Sequence, residues 1–379
     1  MTDASPPRVA LVAHRYASHL QSGIPRYVAE LCRVLGADPA CEGYALITPP
    51  ERGDTSGCGL PVEHLRGPRR VVQLGWHAAG RPALEQLVAP AALVHVLYPF
   101  APVPTRAPLI ATVHDLLPLR HPEWFGRVNA AKFRRATDVM VRDATHVITD
   151  SASVSAQVQE SLAVDPDRIT VVPLGVAPAF RERVAEPVRL EMCARHGVTP
   201  GRFFIAVGYV SLRKNLLTIL RALAVAGGHL RLPLLLAGPA GRGAGDVQRE
   251  VERLGLQGRV IVTGWLAEQE LASLVASATA LLHPATHEGF GLPPLEAMAA
   301  GTPVVASTGG AVPEVVGRAG LLLDHEDVDG WADAMVRLAG DGDLVTTLRT
   351  KGLVQSAPYT WERTAAETLA VHRRVLSRD

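Results

Sequence analysis

The sequence lacks the features that mark secreted, membrane-spanning or metal-binding chains. Its four cysteines, Cys32, Cys41, Cys58 and Cys193, form no CxxC pair and show no spacing typical of a metal site. That pattern favours isolated thiols in a reducing compartment. No apolar run approaches the ~20 residues that a membrane-spanning helix needs, and residues 1–7 lack the charged and apolar regions of a secretory signal. These absences predict a cytoplasmic protein.

The chain also lacks an excess of either charge. It carries 38 Lys and Arg against 37 Asp and Glu, for a formal net charge of +1. A balanced chain has no general attraction for nucleic acid. The glycine-rich loop at residues 238–243 does not read G-x-G-x-x-G, so a nicotinamide-dependent oxidoreductase is not favoured.

The most informative stretch is residues 283–307, which read H-P-A-T-H-E-G-F-G-L-P-P-L-E-A-M-A-A-G-T-P-V-V-A-S. Apolar runs at residues 279–282 and 303–306 predict a strand on each side of a glycine loop and a short helix. Gly289 and Gly291 bend the loop, and Pro293 and Pro294 stand where a helix start tolerates proline. Such a loop presents backbone N–H groups and the positive end of a helix dipole, which suit a phosphate or an oxyanion.

Two carboxylates frame this loop. Glu288 is predicted at the strand end and Glu296 on the first turn of the helix, with seven residues between them. A carboxylate accepts hydrogen bonds from vicinal hydroxyls, the groups that sugars and riboses offer. Considered alone, Glu296 is explained as a carboxylate that complements the helix dipole, and Glu288 as a solvated loop residue. The complete block favours a functional pair.

The block E-G-F-G-L-P-P-L-E-A-M-A-A-G-T-P-V resembles the paired-glutamate signature of retaining GT-B glycosyltransferases in glycosyltransferase family 4. This large family includes many bacterial mannosyl- and glucosyltransferases. The resemblance implies a nucleotide-sugar site, with Glu296 on the ribose hydroxyls and Glu288 near the transferred sugar. It further implies that the loop binds the donor and stabilises the leaving group, partly through backbone amides, and the residues concerned are Gly289, Phe290, Gly291 and Leu292.

A second motif stands after the apolar run at residues 203–208. Gly208 ends this run, and Arg213 and Lys214 follow within six residues. Arginine supplies a fork of hydrogen-bond donors and lysine supplies a point charge, and this combination suits a diphosphate. An isolated Arg-Lys pair, however, is usually a pair of solvated surface residues. The R-K-N element resembles the family's diphosphate-binding element, and the resemblance adds Gly208, at the end of the preceding strand, to the donor-binding residues. Many members have a further arginine where Tyr209 stands, so Arg213 and Lys214 are expected to be the side chains that bind the diphosphate here.

The resemblance extends to three further positions. A strand predicted at residues 260–265 ends, in the family, beside the nucleotide base, which adds Gly264 to the donor-binding residues. Gly23 opens a helix after the polar loop at residues 14–22; the resemblance places it near the diphosphate or the acceptor, and a plain helix-entry glycine is the alternative. His114 follows a predicted strand, at the sheet edge where open α/β folds bind ligands. The resemblance implies that His114 contacts the transferred sugar, whereas a lone histidine is more often structural.

Two other patterns have simpler interpretations. Residues 124–144 predict a long basic helix, which could lie on an anionic membrane surface; a solvated helix with its apolar face in the core is favoured. Three D-x-D strings, at residues 165–167, 327–329 and 341–343, lie in polar turn-like segments. We interpret them as accidental and expect neither a metal site nor a cofactor.

Together these patterns predict an α/β protein of the GT-B class, with two Rossmann-like domains facing a central cleft. Residues 1–180 and a returning C-terminal helix, 357–379, are expected to bind the acceptor, and residues 181–356 the nucleotide sugar. The expected activity is retaining transfer of a hexosyl unit, with GDP-mannose as the favoured donor, to a hydroxyl of a glycan, a lipid-linked glycan or a small molecule. A nucleotide-sugar 2-epimerase and a non-catalytic sugar-nucleotide binder are the alternatives. A cytoplasmic location is expected, with residues 124–144 offering peripheral contact at the inner membrane face.

Overall fold

The computed structural model describes residues 8–13, 23–49 and 57–377. The N-terminal residues 1–7 and the polar loop predicted at residues 14–22 lie outside the described residues. The chain forms two compact units. The first unit draws on Met1–Gly175 and Thr360–Asp379, and the second on Val176–Tyr359.

The first unit is built on a parallel sheet of short apolar strands. Buried parallel strands are read from continuous apolar runs, and most of these strands are buried along their whole length. The sheet order is β3-β2-β1-β4-β5-β6-β7. The strands are β1 (Val9–Val12), β2 (Tyr44–Thr48), β3 (Val62–His64), β4 (Leu93–Val96), β5 (Leu109–Val113), β6 (His146–Thr149) and β7 (Ile169–Val171).

Helices connect these strands, as parallel neighbours require. They are α1 (Gly23–Gly36), α2 (Arg69–Ala79), α3 (Leu117–Arg120), α4 (Pro122–Phe125), α5 (Arg127–Asp143) and α6 (Ala152–Leu162). The single helix predicted over residues 124–144 is wrong in one respect. Gly126 has φ +82° and separates α4 from α5, because a residue in that backbone region cannot continue a right-handed helix.

The second unit repeats the architecture with a six-stranded parallel sheet in the order β10-β9-β8-β11-β12-β13. Its strands are β8 (Phe204–Val207), β9 (Leu234–Ala237), β10 (Val260–Gly264), β11 (Ala280–His283), β12 (Val304–Ser307) and β13 (Leu321–Leu323). Strands β8 and β11 are hydrogen-bonded neighbours. The loops that follow them therefore begin side by side at one edge of the sheet.

The helices of this unit cover its sheet. They are α7 (Glu186–Arg195), α8 (Leu216–Ala226), α9 (Ala244–Arg253), α10 (Glu268–Ser277), α11 (Leu292–Ala299), α12 (Val312–Val316), α13 (Val328–Gly340) and α14 (Gly342–Ser356). Short 3-10 helices complete the chain at Pro39–Cys41, Leu84–Gln86, Pro166–Arg168, Pro178–Phe180, Leu212–Lys214 and Gly227–His229.

The last helix, α15 (Trp361–Leu376), belongs to the first unit. A buried chain of polar side chains joins it to the sheet. Nδ1 of His372 lies 3.0 Å from the Tyr44 hydroxyl, and its Nε2 lies 3.0 Å from Nδ1 of His95. Nε2 of His95 in turn lies 2.7 Å from Oγ1 of Thr112. Because buried polar groups are costly when unpaired, this chain fixes the position of α15 on the sheet.

The histidine chain predicts acid sensitivity. Burial lowers the pKa of His372 to about 3 and holds the pKa of His95 well below its usual range. A histidine that must stay neutral stabilises the fold above the unfolded-state pKa of ~6.5, and this stability is lost as the pH falls toward the folded-state value. Between about pH 7.5 and about pH 5, we expect the wild type to lose roughly 2 kcal/mol more unfolding free energy than His372→Gln, which cannot be protonated. Urea unfolding at the two pH values measures this difference, and equal losses would contradict it.

Candidate active site

Three charged side chains meet at the edge of the second sheet where β8 and β11 end. The carboxylate of Glu288 is held by Arg213, with Nη1 2.7 Å from Oε2, and by Lys214, with Nζ 2.7 Å from Oε1. The Lys214 and Glu288 side chains are only 9% and 12% exposed. The structure therefore brings together residues from the two motifs that the sequence predicted separately.

Local backbone structure explains why Arg213 and Lys214 point to this place. They lie on the 3-10 helix Leu212–Lys214, just after β8. The backbone N–H of Thr286 donates to the carbonyl oxygen of Arg213 at 3.1 Å. The amide of Asn215 donates to the carbonyl of His325 at 2.7 Å. The first bond ties the cationic turn to the loop after β11, and the second ties it to the residues that follow β13.

A glycine is required at position 208 because the side chain of Lys214 passes directly over it. Gly208 has φ +125°, and a Cβ atom at this position would lie 2.7 Å from Cε of Lys214. Any other residue would be strained and would displace the lysine chain. The predicted donor-binding glycine thus acts, in this structure, by making room for Lys214.

The backbone of Glu288 is fixed by a loop whose role the sequence did not reveal. Glu288 pairs with Gly310 in an isolated parallel bridge, and the N–H of Ala311 donates to its carbonyl at 3.0 Å. A Cβ atom on Gly310 would overlap that carbonyl oxygen. The Gly309-Gly310 pair after β12 was the available signal, since adjacent glycines often mark a close backbone approach.

The site is strongly polarised. Burial by itself would raise the pKa of Glu288, but Arg213 and Lys214 outweigh it and hold that pKa well below its usual range. Burial lowers the pKa of Lys214, against the opposing effect of Glu288. Counted by themselves, these three side chains carry one net positive charge, and the two cations can accept an anion.

His283, the last residue of β11, was not among the predicted site residues. Its side chain is 2% exposed, and Nε2 lies 3.4 Å from Oε1 of Glu288. Burial, assisted by Lys214, lowers the pKa of His283 to about 4. The ring is therefore neutral at neutral pH and adds no third cation to the cluster.

The glycine loop leads into α11 much as predicted. Gly291, with φ +110°, is the N-cap, and proline occupies the first turn. The placement of Glu296 on the first turn was wrong, because α11 begins at Leu292 and Glu296 stands in its second turn. Glu296 is 3% exposed and raises the pKa of Lys214. Phe290 is buried, and its ring centroid lies 6.0 Å from that of Tyr359.

Gly264 ends β10 and is not part of the ion cluster. Strand β9 separates β10 from β8, so Gly264 stands farther along the same sheet edge. Beside it, Trp265 is 56% exposed, and Tyr209, directly after Gly208, is 46% exposed. These two aromatic side chains border the sheet edge that carries the cations.

His114 lies in the first unit, where β5 ends. Nε2 donates to the carbonyl oxygen of Leu97 at 2.9 Å, and Nδ1 lies 2.6 Å from Oδ2 of Asp150. A carbonyl oxygen can only accept, so Nε2 carries hydrogen, and the Asp150 carboxylate favours a second hydrogen on Nδ1. Burial lowers the pKa of His114, but Asp150 outweighs it and the net shift is upward. Asp150 is a partner that the sequence did not indicate.

Gly23 is the first residue of α1, with φ +44° and open space where a Cβ atom would lie. The loop before it lies outside the described residues. One turn later, the ring of Tyr27 packs edge-on against His114, with centroids 4.6 Å apart. Helix α1 therefore links the region of Gly23 to His114 within the first unit.

Comparison with known families agrees with this site. Residues 201–341 match the family described as Glycosyl transferases group 1, and residues 21–180 match Glycosyltransferase Family 4. The chain belongs to glycosyltransferase family 4. Both motifs of the ion cluster, around Arg213 and around Glu288, fall within the first of these matches.

Relatives of this family 4 glycosyltransferase include named mannosyltransferases. The O-antigen chain mannosyltransferase B of Escherichia coli is 27% identical over 266 residues, which are 70% of this chain and 70% of that protein. The MMP alpha-(1->4)-mannosyltransferase of Mycolicibacterium hassiacum is 30% identical over 290 residues, 72% of this chain and 66% of that protein. The chain is thus similar to mannosyltransferases along most of its length.

Solved structures identify the fold. HepE of Anabaena, solved in complex with UDP and glucose, superposes with a TM-score of 0.73 over 96% of this chain and 99% of that chain, at 21% identity. With its two parallel-sheet units, this family 4 glycosyltransferase has the GT-B fold. The predicted α/β GT-B class is confirmed.

The three D-x-D strings of this glycosyltransferase have structural roles. The carboxylates of Asp165, Asp327 and Asp341 accept hydrogen bonds from backbone N–H groups at the starts of helices. Helix capping accounts for an aspartate at each of these positions. Across residues 8–13, 23–49 and 57–377, no cluster of three or more His, Cys, Asp or Glu side chains is arranged to hold a metal ion.

Proposed function

We propose that this glycosyltransferase moves a hexosyl unit from a nucleoside diphosphate sugar to an acceptor hydroxyl, with retention of anomeric configuration. The observation that carries the proposal is the buried cluster of Arg213, Lys214 and Glu288. Two cations on a short turn, beside a glycine loop that opens a helix, provide charge and backbone donors for a diphosphate. Glu288 and Glu296 then offer acceptors for the hydroxyls of the sugar and the ribose.

The proposed chemistry follows from the charge that develops. As the bond between the anomeric carbon and the diphosphate breaks, negative charge grows on the leaving oxygen, and Arg213 and Lys214 stabilise it. A double displacement requires an enzymic nucleophile, and the sequence offers no evident one. We therefore favour substitution on the front face. The acceptor oxygen bonds to the anomeric carbon on the side that the phosphate leaves, and the acceptor proton passes to the phosphate oxygen.

His114 is proposed to orient the transferred sugar. Asp150 and the carbonyl of Leu97 engage both of its ring nitrogens, so a sugar hydroxyl would have to replace one of these partners. No metal or other cofactor is included in the proposal, because Arg213 and Lys214 meet the charge of the leaving group.

GDP-mannose is the donor that we favour. Mannosyltransferases stand among the relatives that match most of the chain. A UDP sugar is the alternative, since HepE was solved with UDP and glucose. The 2-epimerase is not favoured, because the complete E-G-F-G-L-P-P-L-E block is present. A non-catalytic binder is not favoured, because the motifs of the family are intact rather than decayed.

Nucleotide binding is tested by thermal unfolding with GDP, UDP, ADP and dTDP, each with EDTA present. A ligand that binds only the folded protein, at about a hundred times its dissociation constant, adds about 2.7 kcal/mol to the unfolding free energy. We expect one nucleotide, GDP in our favoured case, to raise the midpoint clearly. No stabilisation by any of the four would contradict the donor site, and stabilisation only when EDTA is left out would contradict metal-free binding.

A membrane surface is proposed as a peripheral partner of the first unit. On α2, Val71 and Leu74 are 64% and 69% exposed, and on α5 Val128 is 68% exposed. The helices touch, since Nε of Arg135 donates to the carbonyl of His77 at 2.8 Å. With the exposed Arg70, Lys132 and Arg135, this apolar and basic face suits anionic lipid. No helix within the described ranges is long and apolar enough to cross a bilayer.

Vesicle sedimentation tests the membrane contact. We expect binding to vesicles rich in anionic phospholipid, weak binding to neutral vesicles, and release as salt is raised, because each basic residue near the surface contributes ~1 kcal/mol. Leu74→Glu should reduce binding, while Val354→Glu, at an equally exposed site on α14 (71% exposed), should not. Equal binding to neutral and anionic vesicles, or no binding to either, would contradict the proposal.

A further inference from the structure

We propose that His283 is a positioning residue that holds the Glu288 carboxylate in place while Arg213 and Lys214 engage the diphosphate of the donor. The inference rests on the proposed donor site, and it assigns a role to a residue that lies outside both the paired-glutamate block and the R-K-N element. It begins from a conflict that the geometry creates. In this structure Glu288 forms ion pairs with both of the cations that are proposed to bind the diphosphate of the nucleotide sugar.

Donor binding changes the partners of Glu288. A nucleotide sugar brings two negative charges on its diphosphate, which compete with Glu288 for Arg213 and Lys214. A buried carboxylate that loses its cations is strongly destabilised unless another donor remains. Glu288 must nevertheless stay charged and fixed to meet the hydroxyls of the sugar. A third partner that does not itself move to the phosphate resolves this conflict.

His283 has the geometry of that partner. Its Nε2 lies 3.4 Å from Oε1 of Glu288, and its side chain is 2% exposed. It is the final residue of β11, paired with Ala306 of β12, so its backbone belongs to the sheet while the cations lie on the turn after β8. Across the described residues, Nε2 is buried and forms no hydrogen bond in this structure, with Glu288 or with any other group, so it is available to donate to Glu288 when the cations turn to the diphosphate.

The charge of the ring fits the role. Burial lowers the pKa of His283 to about 4, so at neutral pH it is a neutral N–H donor. A cation at this position would also be attracted to the diphosphate. A neutral imidazole carries no net charge, so the diphosphate competes less strongly with Glu288 for it. The residues before it, Leu281 and Leu282, are fully buried and apolar. A histidine at the end of such a strand is not needed for packing alone.

The test compares His283→Gln with His283→Asn. Glutamine can place an amide N–H where Nε2 stands, whereas asparagine falls short of Glu288. Both are polar and neutral, so both suit the buried position. With the donor selected by thermal unfolding, we expect the asparagine variant to lose about 10- to 100-fold in kcat, the worth of one hydrogen bond to a charged group. The glutamine variant should recover most of this loss.

The pH profile separates positioning from a general structural effect. When the nucleotide sugar is bound, Arg213 and Lys214 contact its diphosphate. Without the N–H group of His283, Glu288 is then protonated more easily. The acid limb of kcat should therefore move to higher pH in the asparagine variant and stay in place in the glutamine variant. The dissociation constant of the nucleoside diphosphate alone should stay within about twofold. His196→Asn is the matched control, since it removes a His–Glu contact of 3.0 Å, to Glu270, elsewhere in the same unit.

Equal kcat and an unshifted acid limb in both variants would overturn the inference, and so would equal losses in both. Binding of the nucleoside diphosphate by the wild type reports separately on the proposed function. If the wild type binds and turns over while the two variants behave alike, only the role of His283 fails. If the wild type binds no nucleotide, the donor site fails and the inference falls with it.

Discussion

Replacing Glu288 by glutamine is expected to lower kcat by about 100- to 1000-fold, the usual cost of removing a preorganised electrostatic contact to the reacting centre. Glutamine keeps the shape of the side chain but removes its charge. Binding of the nucleoside diphosphate should not weaken, because Arg213 and Lys214 lose the internal anion that competes for them. Steady-state kinetics with the selected donor measures kcat, and calorimetry measures binding.

Glu250 provides the matched control for this experiment. Its carboxylate is also held by two cations in the second unit, with Nε of Arg221 and Nε of Arg253 each at 2.7 Å. These cations lower its pKa to about 2. Glu250→Gln should therefore affect stability and leave turnover near the wild-type value. Wild-type turnover in Glu288→Gln would contradict the role assigned to Glu288.

Replacing Lys214 by methionine is expected to weaken nucleoside diphosphate binding by about 30-fold or more, since loss of a buried charged partner costs about 2 kcal/mol at least. Methionine keeps the length of the chain beneath Gly208 and removes only the ammonium group. Here kcat and binding should fall together, unlike in Glu288→Gln. The different outcomes of the two variants distinguish a residue for the diphosphate from a residue for the sugar.

The exposed lysine on α14, Lys351, supplies the control. Lys351→Met removes the same charge from a surface position and should leave the dissociation constant unchanged. A dissociation constant in Lys214→Met within about twofold of the wild-type value would mean that Lys214 does not contact the diphosphate.

Much of the fold could be predicted because buried parallel strands consist of short runs of apolar residues, which are visible in the sequence. The strands predicted from the apolar runs at residues 279–282 and 303–306 correspond, within one residue at each end, to β11 (Ala280–His283) and β12 (Val304–Ser307). The break in the helix at Gly126 was not predicted, since one glycine in a basic amphipathic stretch does not reveal its backbone angle. The turn position of Glu296 was misjudged for a related reason, because paired prolines allow several start points for a helix.

The assembled site could be predicted only in part. Lys214 and Glu288 were found in separate motifs, but their contact spans 74 residues of sequence and depends on β8 lying beside β11. That strand order cannot be read from local patterns. His283 was missed because it ends an apolar run and looks like core. Asp150 was missed because its importance lies in its 2.6 Å contact with His114, another long-range pairing.

The stereochemistry of donor cleavage tests the central claim most directly. With the donor selected by thermal unfolding and water as acceptor, proton NMR at early times identifies the anomer of the sugar first released. With EDTA present, we expect the released sugar to have the anomeric configuration of the donor, and we expect its signal to be lost in Glu288→Gln. Release of the opposite anomer, before mutarotation mixes the two, would contradict retaining transfer at the site formed by Arg213, Lys214 and Glu288.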